Sequence, residues 1–293
     1  APYTCISRRP ALIEYSMFWS VASLVVVVSE VLYNLFGLDI GMRLNLFGAD
    51  ILFTVLIPAL FYVDWPTAEA WPYLLGSSLL HLGYFGVLIF SYRFGDLSAV
   101  YPVARGSSPV LIAVGAYLFA AQSISMSAAL GLALASGGMC LFAFEKGLPT
   151  RHLMKPLLMA LTVGVFIASY TVVDGIGLRY SSSAFSYIAW LSFLDGIPLM
   201  AWAFIFQGNA FRTYLRTDGR KAMVGGVFSL AAYALVLYVL SIGSMAHVSA
   251  LRETSVLFAV VLGAVTLKER FGAIRWVAAI AIVTGVVTMH VVG

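Results

Sequence analysis

Apolar residues run along this chain in blocks of about twenty, separated by short stretches of Arg, Lys, Asp, Gly and Pro. Each block suits a helix that crosses lipid, because one helical residue advances about 1.5 Å and a hydrocarbon core is about 30 Å thick. The pattern predicts ten spans, at 15–38, 45–64, 71–92, 97–119, 125–145, 154–175, 184–207, 222–243, 246–267 and 272–292. Between Gly106 and Phe144 there is no Asp, Glu, Lys or Arg, which covers most of two spans, whereas the first two spans carry Glu30 and Asp50. The expected fold is all-α, a polytopic membrane bundle of ten transmembrane helices. The short connections favour one bundle and leave no room for a soluble catalytic domain.

Composition agrees with lipid as the solvent: 61% of residues are hydrophobic, 10% are charged and the mean hydropathy is +0.97. Arg8 and Arg9 precede the first span and no small-residue cleavage pattern follows it, so it reads as a retained helix rather than a cleaved signal. Cys5 and Cys140 cannot form a disulfide framework. The net charge of +4 sits in loops and implies topology, not a nucleic-acid partner. Connections after spans 1, 3, 5, 7 and 9 hold Arg43, Arg93, Lys146, Arg151, Lys155, Arg212, Arg216, Arg220, Lys221, Lys268, Arg270 and Arg275, against Arg8, Arg9 and Arg179 on the other side. By the positive-inside rule that bias places the richer side in the cytoplasm and both termini outside, while Arg8 and Arg9 pull the other way.

The chain also carries a weak internal duplication, with its halves meeting near residue 150. Asp39-Ile-Gly-Met-Arg43 is echoed by Asp174-Gly-Ile-Gly-Leu-Arg179, and Arg105-Gly-Ser-Ser108 by Arg252-Glu-Thr-Ser255. Five helices per half, an odd number, turn the second copy upside down in the membrane. The expected domains are therefore residues 1–149 and 150–293, two inverted five-helix repeats, an architecture common among secondary transporters.

Four segments carry a family resemblance. Gly95-Asp-Leu-Ser-Ala-Val-Tyr-Pro-Val-Ala-Arg-Gly106, His247-Val-Ser-Ala-Leu-Arg-Glu-Thr-Ser-Val-Leu-Phe258, Tyr170-Thr-Val-Val-Asp-Gly175 and Leu267-Lys-Glu-Arg270 resemble the EamA branch of the drug/metabolite transporter superfamily. The resemblance covers nearly the whole chain. It implies ten helices in two inverted halves and movement of small metabolites, often amino acids and frequently outward, the best-understood relatives of this shape being aromatic amino-acid exporters of the YddG type. The chain departs from it in two ways. Phe119-Ala-Ala-Gln122 stands where the first half would repeat Leu267-Lys-Glu-Arg270, and the family's cytoplasmic termini oppose the charge count.

Ionisable residues inside spans cost about 2.5–3.5 kcal/mol each on insertion scales, so they face a cavity or a partner. Arg105 and Arg252 occupy matched positions in the two halves and can hold a substrate carboxylate or neutralise Glu30, Glu253, Asp174 or Asp195; an internal ion pair explains them equally. His81 and Tyr84 share a face of the third span, where imidazole suits recognition, proton coupling or a plain interhelical hydrogen bond. Tyr101, Tyr170, Tyr187, Trp190 and Tyr233 can build an aromatic wall that stacks on flat substrates and grips ammonium groups, or can mark the membrane interfaces. Glu30, Asp174 and Glu253 are the candidate coupling or gating acids. Pro102, Pro109, Gly175 and Gly177 are candidate hinges, and Gly137-Gly138 and Gly225-Gly226 are expected to permit close helix contact.

No glycine-rich phosphate loop with lysine, serine-protease signature or metal-ligand spacing is present in the sequence. The expected function is secondary transport by alternating access, without cofactor or metal, of a small molecule such as an amino acid. The expected setting is a bacterial inner membrane, as a monomer or homodimer. The competing reading is a membrane enzyme whose catalytic groups are these same intramembrane residues.

Overall fold

The computed structural model describes residues 60–91, 97–144, 154–202, 205–206, 208–254 and 272–291. These form eight α-helices and one 3-10 turn: α1 Trp71–Ser91, α2 Leu97–Ala120, α3 Met126–Leu141 continued by Phe142–Phe144, α4 Met154–Tyr180, α5 Ala184–Trp202, α6 Gly208–Ile242, α7 Met245–Arg252 and α8 Ala273–Val291. There is no strand among the described residues. The first expected span, most of the second, the remainder of the ninth, Glu30, Gly225, Gly226 and the Leu267–Arg270 motif lie outside the described residues or side chains.

Three helical segments are long and apolar enough to cross a membrane, Pro102–Ala120, Lys155–Tyr180 and Ala184–Trp202, and shorter apolar helices accompany them. Their polarity is turned inside out relative to a soluble protein. Leu79, Val114, Leu134, Val165, Ile197, Ile280 and Val287 are exposed, while His81, Asp174, Asp195 and Glu253 are buried. Lipid solvates the first set at no cost, and the second is shielded from lipid by neighbouring helices. Three buried hydroxyls bond within their own helices: Ser108 donates to the Arg105 carbonyl, Thr171 to Ile167 and Ser192 to Ile188.

Helix α4 is the central element, packing along both α1 and α2 and touching α5, α6 and α7. Helices α3 and α8 form a second tight pair. There a Cβ on Gly285 would meet Ala135 N and Gly131 O at 2.5 Å, and one on Gly138 would meet the Ala278 carbonyl at 2.8 Å. Glycine is required at these positions because the opposing atoms are backbone. Gly137 faces open space, so close contact belongs to Gly138 alone of that pair.

The expected hinges are not breaks. Helix α2 runs unbroken through Pro102 and Pro109, and α4 through Gly175 and Gly177. Gly175 instead admits Met245, and Gly177 admits Tyr73 and Tyr187, at distances no Cβ would allow. Helix α6 also begins earlier than its apolar pattern, at Gly208 rather than near 222, and its 35 residues extend about 52 Å. Its first turns carry exposed Arg212, Thr213, Arg216 and Thr217, so charges expected in a loop stand on a helix outside the apolar segment Leu230–Ile242.

The two ends of the bundle differ. Where α1 and α5 begin and α4 and α6 end, the exposed residues include Phe61, Tyr62, Trp65, Tyr180, Phe185 and Tyr238, as at a membrane interface. The opposite end holds exposed Lys155, Arg212 and Arg216.

Candidate functional site

His81 is the middle residue of the 21-residue α1, leaving about 15 Å of helix on either side, half of a hydrocarbon core. Helix α4 runs antiparallel to it: Tyr73 stacks on Tyr180 at 5.3 Å, Gly76 faces Val173 and Gly83 faces Phe166. That register brings Tyr170 level with His81, with ring centroids 4.2 Å apart, and Tyr84 against Tyr170 at 5.8 Å. Asp174 follows Tyr170 by four residues and so projects from the same face of α4.

Asp174 is fully buried, and both its oxygens are taken. Tyr187 of α5 donates to Oδ1 at 3.0 Å, and Tyr233 of α6 donates to Oδ2 at 2.5 Å. The Tyr233 oxygen also stands 3.2 Å from His81 Nε2. On the other side of the ring, His81 Nδ1 lies 2.8 Å from Asp195 Oδ2. A continuous line of polar contacts therefore runs from Asp174 through Tyr233 and His81 to Asp195, tying α4, α6, α1 and α5 together. His81, Asp174 and Asp195 are buried and Tyr233 is half-buried, so these contacts act in a low-dielectric setting that strengthens them.

A basic region adjoins this line. Arg105 of α2 places Nε 3.6 Å from Glu253 Oε2, at the C-terminal end of α7. Arg252, one residue before, acts through its charge on His81, Tyr84, Tyr170 and Tyr233 and hydrogen-bonds to Tyr170. The two matched arginines thus converge on one region, one through an ion pair and the other on the tyrosines. This part of the bundle thus gathers Asp174, Asp195, Glu253, Arg105, Arg252 and His81.

The remaining candidates fall elsewhere. Trp190 joins a separate aromatic group with Trp65, Trp71 and Phe193, at centroid distances of 4.7, 5.5 and 5.9 Å. Tyr101 lies on α2, but its side chain, like Glu30, is outside the described residues. Two roles went unforeseen. Asp195 was expected only as an arginine partner, and it pairs with His81 instead; an acid within a span was the available signal. Gln122, the uncharged departure from the family motif, accepts the Met245 N–H at 3.0 Å and caps the start of α7. Ala121 makes the turn that aims it, with φ 52 and a Gln122 N–H to Ala116 carbonyl bond of 3.0 Å.

A bundle with a polar interior of mixed charge is compatible with more than one membrane function, and similarity to known proteins narrows it. Residues 154–290 match the EamA-like transporter family. The matched segment is a little under half of the chain and forms its second part. Within the matched segment lie Tyr170, Asp174, Tyr187, Asp195, Tyr233, Arg252 and Glu253; His81, Tyr84 and Arg105 come from the preceding part of the chain. A solved crystal structure of a protein 15% identical to this chain superimposes with a TM-score of 0.70, over 93% of this chain and 97% of the other, so the two share a fold. No curated protein matches the chain.

Proposed function

We propose that this protein is a secondary transporter that moves small zwitterionic metabolites, amino acids foremost, by alternating access between two inverted five-helix halves. The observation that carries the reading is the position of Tyr170. Its ring lies against His81, which is paired to Asp195, and it also hydrogen-bonds with Arg252. A zwitterion spans such a pair of poles: its carboxylate suits Arg252 or Arg105, and its ammonium suits the acids beyond His81. It also adds no net charge to a buried region that already holds three acids, two arginines and an imidazole. Tyr84, Tyr170 and Tyr233 supply faces on which an aromatic side chain stacks.

Alternating access around the site is supported by helix direction. Helix α1 starts at the aromatic end of the bundle and α6, its counterpart five spans later, finishes there, as inverted copies require. We take the basic end as cytoplasmic and the flux as outward, in a bacterial inner membrane, from a monomer or homodimer.

The test is release of a panel of labelled amino acids from liposomes containing the purified full chain. Saturable release that unlabelled competitor suppresses is expected, strongest for aromatic members. Chemical turnover of the panel without release supports the membrane-enzyme reading and overturns this one.

A further inference from the structure

The line from Asp174 to Asp195 can hold its protons in two ways. Tyr233 has one hydroxyl proton. When it is given to Asp174, the Tyr233 oxygen accepts from His81 Nε2–H, and Nδ1–H meets the Asp195 carboxylate, so the ring is an imidazolium between two carboxylates. In the second arrangement the Nε2 proton passes to the Tyr233 oxygen as the hydroxyl proton passes to Asp174. Asp174 is then a neutral acid, His81 a neutral imidazole carrying Nδ1–H, and Asp195 still an anion. Atoms and net charge are unchanged. What differs is that Asp195 has lost its cationic partner.

Asp195 is only 6% exposed, and its Oδ1 has no hydrogen-bond partner among the described residues. A buried anionic oxygen in that condition calls for a cation or a donor. We propose that His81, Tyr233 and Asp174 form a proton relay that frees Asp195 to receive the ammonium group of the transported molecule. The inference rests on the transporter reading above and deepens it, since it assigns Asp195 to amine recognition. Tyr187 keeps its hydrogen bond to Asp174 Oδ1 in both arrangements. Tyr170 packs on the ring and Tyr84 on Tyr170 as neutral neighbours, and Arg252 brings the other positive charge that acts on His81. Substrate ammonium at Asp195 and imidazolium at His81 exclude one another by like-charge repulsion, so substrate arrival drives the proton to Asp174.

Two readouts on the full chain in liposomes test it. Infrared difference spectra on adding a mixture of the protein amino acids are expected to gain a protonated-carboxyl band that Asp174→Asn removes and Tyr233→Phe prevents. No such band, or one that survives Asp174→Asn, overturns the relay. In flux, Asp195→Asn is expected to lose the preference for amino acids over the matching 2-hydroxy acids by roughly ten-fold or more, the weight of a charge-assisted hydrogen bond, and Asp195→Glu to retain it. An unchanged preference in Asp195→Asn overturns the assignment of Asp195; so does loss of the preference in Asp195→Glu. The band without any wild-type flux sinks the transporter reading alone, and flux without the band sinks the relay alone.

Discussion

Tyr233 gives its only hydroxyl proton to Asp174 at 2.5 Å and holds His81 Nε2 at 3.2 Å on the same oxygen. One phenol thereby joins α6 to α4 and α1. Tyr233→Phe keeps the ring and its packing against Tyr170 but strips a donor from a buried carboxylate, which costs about 1–3 kcal/mol of stability. Thermal unfolding in detergent should detect that loss, and flux should fall more steeply than stability. A variant as stable and as active as the parent would show that the hydroxyl does neither job.

Arg105 and Glu253 offer a cleaner separation of structure from binding. Neutralising Arg105 as Gln takes away the guanidinium facing a carboxylate that is 2% exposed, and breaking a buried pair in this way costs about 3–5 kcal/mol. Pairing Arg105→Gln with Glu253→Gln should recover much of that cost. If flux also returns in the double variant, Arg105 is a structural partner and does not touch substrate; if stability returns without flux, it holds the substrate.

The α3–α8 seam provides a control remote from the polar line. Gly285→Ala drives a Cβ into the backbone of α3, and such overpacking costs about 1–3 kcal/mol. Gly137→Ala, on α3 but turned away from the seam with nothing within 4 Å, should be neutral or stabilising by up to about 1 kcal/mol, the helical preference for alanine. Chemical or thermal unfolding of the two side by side decides it.

Gln122→Ala is expected to remove the cap on the Met245 N–H and cost about 1 kcal/mol, because a buried helix start loses its acceptor. Gln122→Glu keeps an acceptor and should lose less. Hydrogen exchange at the first turn of α7 reports the difference directly.

How much of this was legible in the sequence follows from where each signal resides. Helices α1 to α5 and α8 could be placed because an apolar run of span length is a local property, read without knowing its neighbours, whereas α7 ends at Arg252 inside the span expected over 246–267. The early start of α6 could not, since Arg212, Thr213 and Arg216 lie outside the apolar segment, and a polar helix looks like a loop to hydropathy. The prolines of α2 suggested a hinge, yet its flanking helices hold it continuous. His81, Asp174 and Tyr233 stood out because ionisable and hydroxylated groups are rare inside spans, but which one bonds which depends on helix register across the bundle. The pairing of His81 with Asp195, 114 positions apart in sequence order (195 − 81), has no local trace. For the same reason Trp190 looked like a wall residue while its partners, Trp65 and Trp71, lie away from the polar line.

Counterflow into liposomes loaded with unlabelled amino acids measures most directly whether this buried polar line serves a carrier. The wild-type chain should accumulate labelled amino acid transiently above its external level, and Asp174→Asn, folded as judged by its unfolding transition, should abolish that overshoot. Uptake by wild-type vesicles no greater than by protein-free vesicles, or an overshoot undiminished in Asp174→Asn, would contradict the account.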